Sequence, residues 1–122
     1  MTGSEAEAID FLNWFCDLPH KQKIFICGNH DACLYGANIE GLDTDVLISH
    51  SPAYGILDFD DNIYYGSEEL LAKLPSLNLK AHLFGHIHAQ HGILENIGTI
   101  YSNGAIMNSD YSQLNTPNLI SL

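Results

Sequence analysis

The stretch Ala81-His82-Leu83-Phe84-Gly85-His86-Ile87-His88 decides the fold. A short apolar run ends on a glycine, and two histidines follow two residues apart. A run of this length bounded by Gly reads as a strand buried on both faces. His82 alternates within the run and reads as a packed or hydrogen-bonded core histidine. Gly85 allows the backbone turn that brings the next side chains inward. Two other stretches repeat the arrangement. Lys23-Ile24-Phe25-Ile26-Cys27 runs into Gly28-Asn29-His30-Asp31, and Asp45-Val46-Leu47-Ile48-Ser49 runs into His50-Ser51-Pro52. In open α/β sheets, functional groups gather beyond the carboxyl ends of strands. Three such ends, carrying His and Asn, are expected to converge on one site.

The intervening sequence supplies the rest of an α/β layered domain. Ser4-x-x-Glu7 is a capping box, and Ala8, Ile9, Leu12, Phe15 and Cys16 recur at helical spacing. They predict a helix over 5–17, stopped by Pro19. Residues 53–65 read as a surface loop in which Asp58, Asp60 and Asp61 are solvated. Ser67 caps a helix running to Leu74, with Pro75 beyond it. Residues 92–95, 98–102 and 117–122 read as further strands, with a hairpin turn at Asn96 to Gly98. No repeat, linker or low-complexity block interrupts the chain, so residues 1–122 read as a single domain.

Composition narrows the function. The 122 residues are 46% hydrophobic and 10% aromatic, enough for one modest core. Acidic residues number 15 against 4 Lys and no Arg, for a formal charge of −11. That balance argues against nucleic acid and against anionic membrane as partners. No apolar run approaches the ~20 residues of a bilayer span. The opening MTGSEAEAID lacks the regions of a secretory signal. With only three Cys, reduced thiols and a cytoplasmic location are expected.

Seven His occur, four of them between His82 and His91. Neutral imidazole with amide or carboxylate oxygen suits first-row divalent ions such as Mn, Fe, Co and Zn. His86 and His88, two apart in a tight turn, are placed to serve one metal cluster from adjacent directions. His91 reads as a loop residue outside that cluster, and His20, after Pro19, as solvated. Cys27-x-x-His30-x-x-Cys33 has the spacing of a structural zinc module, the alternative from a different class.

Gly28-Asn29-His30-Asp31, then His50, then Gly85-His86-Ile87-His88 resembles the calcineurin-like metallophosphoesterase superfamily in order and strand-end context. The flanking text, Phe11 to Asp31 and Ile48 to Ser102, is similar to its small single-domain metallophosphoesterase-domain proteins. The resemblance implies a two-metal phosphoesterase built as an αββα sandwich. It implies Asn29, His50 and His86 as ligands of one metal and His88 as a ligand of the other. It places His30 over the substrate as acid or cation, and gives Asp31 a supporting role beside it. The implied cofactor is Mn, Fe or Zn, as one or two ions.

Two departures qualify the expectation. The superfamily's earlier D-x-H and G-D motifs are absent from this sequence, and the stretch between His30 and His50 is short. The chain thus reads as a truncated αββα metallophosphoesterase sandwich. Without a bridging carboxylate, two cations ~3.5–4 Å apart repel with little to hold them. Slow hydrolysis of a small phosphomonoester or phosphodiester, cyclic nucleotides included, is expected, with a non-catalytic metal- or phosphate-binding remnant as the rival. Exposed sheet edges predict a homodimer.

Overall fold

Two neighbouring strands carry the sheet. In the computed structural model, which describes Asp10, Asn13, Trp14, residues 17–19, Ile26 and residues 45–122, the first strand is Val46–Ile48 (β1). Then come Phe59–Asp60 (β2), Ile63–Tyr64 (β3) and a helix, Glu68–Lys73 (α1), which tightens into a 3-10 turn at Leu74–Ser76. Ala81–Phe84 (β4), a 3-10 turn at His88–Gln90, Gly92–Asn96 (β5) and Thr99–Asn103 (β6) complete the order. The chain divides into two compact units, Met1–Glu40 and Gly41–Leu122. In the first, Asp10, Asn13, Trp14 and Asp17 are helical and exposed. Ile26 is an exception to expectation: it is 40% exposed and lies in no strand.

The second unit is a mixed α/β arrangement. Its four-stranded sheet has the order β1-β4-β6-β5, with β1, β4 and β6 parallel and β5 antiparallel to β6. Register sets the faces. Leu47 lies beside His82, His82 beside Tyr101, and Phe84 beside Asn103. Because side chains alternate along a strand, Leu47, His82, Phe84, Tyr101 and Asn103 share one face. On that face Phe84 and Tyr101 form the core with Ala53, Leu74 and Leu79. Leu70 of α1 and Leu77 beyond it pack against them half-buried, while Leu71 faces solvent. Ser67 caps α1 by accepting from the Leu70 N–H at 3.0 Å, and Glu68 and Glu69 occupy the first turn, where the helix dipole favours them.

β4 is buried at three of its four positions. β1 differs from the expected doubly buried strand: Val46 and Leu47 are half-buried and Ile48 is 37% exposed. Among the described residues β1 pairs with β4 alone, so it has one strand neighbour rather than two. Residues 53–65 are not a plain loop but contain the β2–β3 hairpin, and Asp58 is not solvated. At 1% exposure, its Oδ2 accepts the N–H groups of Gly55 (3.0 Å) and Gly66 (2.9 Å). A carboxylate that accepts two backbone donors is held inside because it satisfies them both. Gly66 runs so close to the Ala53 carbonyl that any Cβ there would collide with it. The segment 117–122 is no strand either. Asn118, after Pro117, holds the tail by donating from Nδ2 to Gly92 O, Ser102 Oγ and Asn103 O. Side-chain bonds there take the place of a ladder.

His82 is fully buried, as expected of a core histidine. Its Nε2 lies 2.8 Å from Ser49 Oγ, and that hydroxyl spends its single hydrogen on Ser51 O at 2.7 Å. Nε2 is therefore the protonated nitrogen, and the buried Nδ1 has no partner among the described residues. Burial pushes the pKa of His82 down to about 4. The folded state thus holds this ring neutral while the unfolded chain protonates it near 6.5. Stability from this group is complete above pH 6.5 and is lost as pH falls toward 4, by about 3 kcal/mol in all. Urea unfolding between pH 7.5 and 4.5 should show this loss, and His82→Phe should lack that part of the slope.

β5 and β6 join through a two-residue turn, Ile97 (φ 47°) and Gly98 (φ 79°), with Asn96 beside Thr99. Two positive φ values define the hairpin turn whose twist matches its strands. Gly98 suits it; Ile97, β-branched and 97% exposed, does not. Ile97→Asn should raise unfolding stability by about 1 kcal/mol.

Candidate functional site

The site grows from the carboxyl ends of β1 and β4. The parallel ladder continues past the strands: Ser49 N–H donates to Leu83 O and Gly85 N–H to His50 O, both at 3.0 Å. That last rung clamps the backbone of His50 beside the residue preceding His86. His86 then takes a left-handed backbone, φ 72°. For an L-residue with a ring this conformation costs about 1–2 kcal/mol. It turns the imidazole toward His50, and the ring centroids lie 4.8 Å apart.

Two of the expected metal ligands are thus brought together. His50 Nε2 is buried and has no hydrogen-bond partner among the described residues. A buried nitrogen left bare costs about 1–3 kcal/mol unless something fills the place. Desolvation first, then the neighbouring His50 and His88, lowers the proton affinity of His86. Neutral rings are the form that binds metal. Two imidazoles side by side, one with a bare buried nitrogen, are by their chemistry a donor pair suited to a first-row divalent ion. Among the described residues no group of three His, Cys, Asp or Glu that could hold a metal ion is found.

His88 opens the 3-10 turn and is half-buried. Its Nδ1 lies 3.3 Å from Asn108 O, and its ring packs at 4.7 Å against Tyr111. His86 and His88 line a cleft of about 170 Å³ with Asp60, Tyr65, Ile87, Ser109 and Tyr111. Asp58 braces one wall of that cleft, since it ties Gly55 and Gly66 around the hairpin that carries Asp60 and leads to Tyr65. Asn103, fully buried, braces the floor: Nδ2 donates to Ile87 O (2.7 Å) and Leu57 O (3.3 Å), and Oδ1 accepts from Ala105 N (3.1 Å). The sequence points to none of these supports. A buried Asn or Asp looks like any loop residue until its backbone partners are known. His91 lies apart, in an apolar groove of about 600 Å³ with Leu83, Ile106 and Leu114. Asn29, His30 and Asp31, and with them Cys27 and Cys33 of the zinc alternative, fall outside the described residues.

No protein-family model matches the chain. It is 30% identical over 115 residues to Metallophosphoesterase domain-containing protein 1 of Homo sapiens and, equally, of Mus musculus, across 92% of this chain and 32% of those proteins. It is 41% identical over 66 residues to the UPF0046 protein K07C11.7 of Caenorhabditis elegans, across 54% of this chain and 23% of that protein. These likenesses support the superfamily that the motifs resemble. The chain spans less than a third of the length of the curated relatives it matches.

The strain at His86 is testable by itself. Asn tolerates left-handed backbone far better than His. His86→Asn should leave unfolding stability equal to the parent or raise it by up to about 1 kcal/mol, measured by urea denaturation.

Proposed function

We propose that this chain is a calcineurin-like metallophosphoesterase domain over residues 1–122, a truncated form of the αββα sandwich. It hydrolyses a small phosphomonoester or phosphodiester with a divalent ion, Mn, Fe or Zn. The observation that carries the reading is the pair His50 and His86, with His50 Nε2 buried and bare and the His86 ring 4.8 Å away. The left-handed backbone of His86, whose ring lies against that of His50, supports it. By the family resemblance, Asn29, His50 and His86 would be ligands of one ion and His88 of a second, with His30 as the acid or cation toward the leaving oxygen and Asp31 in a supporting role. The ion supplies Lewis acidity toward water and a phosphoryl oxygen. The chain's own residues do the remaining work. His50 and His86 would lend lone pairs, while Tyr65, Ser109 and Tyr111 line the place where a small ester would sit.

The residues given hold no D-x-H or G-D motif, so they supply ligands chiefly to one ion. A cytoplasmic setting and a homodimer accompany the proposal. No helix among the described residues is long and apolar enough to cross a membrane. Turnover of a chromogenic phosphodiester should depend on added Mn and disappear on chelation. His50→Ala and His86→Ala should each lower it at least 100-fold and abolish metal uptake measured by calorimetry. Metal-independent turnover, or full activity in either variant, would refute the assignment. Stoichiometric metal binding without turnover would leave the metal-binding remnant as the answer.

A further inference from the structure

The carbonyl oxygen of Asn108 receives two donors. Tyr111 N–H reaches it at 3.1 Å and His88 Nδ1 at 3.3 Å. A carbonyl only accepts, so Nδ1 of His88 carries the proton, and in the neutral ring Nε2 is the nitrogen with a free lone pair. The loop that presents this carbonyl is tightly built. Its base is closed by the bridge between Met107 and Leu114 and by Asn108 N–H donating to Gln113 O at 3.0 Å. Asn108 Oδ1 accepts from Ser112 N (3.0 Å) and Gln113 N (3.1 Å). Tyr111, at φ 59°, is held in left-handed backbone and lays its ring at 4.7 Å against His88. One short segment therefore supplies both the hydrogen bond and the ring contact that orient His88. His82, four residues from His86, shows the opposite state, with Nε2 protonated by the Ser49 contact.

We infer that the loop Asn108–Gln113 is a positioning device that locks His88 in the Nδ1–H tautomer, so that Nε2 is the nitrogen available to a ligand in the cleft. Asn108 and Tyr111 are positioning residues, acting through His88. The inference deepens the proposed site, but the tautomer is a property of the protein without metal and is decided without reference to activity. Partners of this kind fix which nitrogen of a ligating imidazole is bare, and their loss weakens metal binding about 10–100-fold.

The test is long-range proton–nitrogen NMR of the metal-free protein at pH 8, with the His88 signals assigned by their loss in His88→Gln. Wild type and Tyr111→Phe should show Nε2 as the unprotonated nitrogen of His88. Tyr111→Ala, at a residue 67% exposed and so little burdened with stability, should give a mixture of tautomers. Asn108→Ala should do the same, and Asn108→Asp, which keeps the oxygen acceptor for Ser112 and Gln113, should restore the single form. The His82 signals should show Nδ1 bare throughout. A wild-type His88 with Nε2 protonated, or with both tautomers populated, overturns the inference, as does an unchanged tautomer in both Tyr111→Ala and Asn108→Ala. Zinc titration of the same samples should show at least tenfold weaker binding in Tyr111→Ala than in Tyr111→Phe. If wild type takes up no zinc while the tautomer pattern holds, the proposed function fails and the positioning inference stands.

Discussion

The structure depends on one rung of a parallel ladder. Gly85 N–H donates to His50 O beyond the ends of β1 and β4. Because the two strands run the same way and lie side by side, their carboxyl ends open on the same edge of the sheet. The rung fixes how far the two chains have travelled relative to each other. A slip of one residue would turn every side chain of β1 to the other face and carry His50 away from His86. The approach of the two imidazoles is thus a consequence of register, and register is set by the buried face of Leu47, His82, Phe84 and Tyr101.

Around that edge the molecule accepts local costs. His86 and Tyr111 hold left-handed backbone, and His50 keeps a buried nitrogen bare. Each feature costs on the order of 1–3 kcal/mol. All three adjoin the same group of histidines. By contrast, Asp58 and Asn103 are fully engaged polar groups that hold the surrounding loops by backbone hydrogen bonds. Rigid supports around a strained and unsatisfied centre are what a binding site requires.

Much of this was legible in the residues. β4 and the two His after Gly85, the capped helix at Ser67 and the hairpin at Asn96 to Gly98 each announce themselves through period or turn chemistry. So does the core placement of His82, from its alternation in an apolar run. The hairpin inside residues 53–65 was hidden because its strands are two residues long and mostly exposed, giving no alternation to read. Asp58 was misread for a related reason: carboxylates are seldom buried, and only the fold shows that two backbone N–H groups await it. The tail at 117–122 has the composition of a strand, yet Asn118 takes up the bonds a ladder would need. For the site, the placement of His50 and His86 at neighbouring strand ends was legible. The partners of His88 were not, since the Asn108 carbonyl lies 20 residues away and any residue type could supply it.

The proposed function requires that His50 and His86 turn toward one divalent ion. A crystal structure of protein grown with Mn, with anomalous data at an energy where the metal scatters strongly, measures this directly. A peak within bonding distance of a nitrogen from each ring is expected. Two imidazoles pointing to separate places, with metal on neither or on only one, would contradict it.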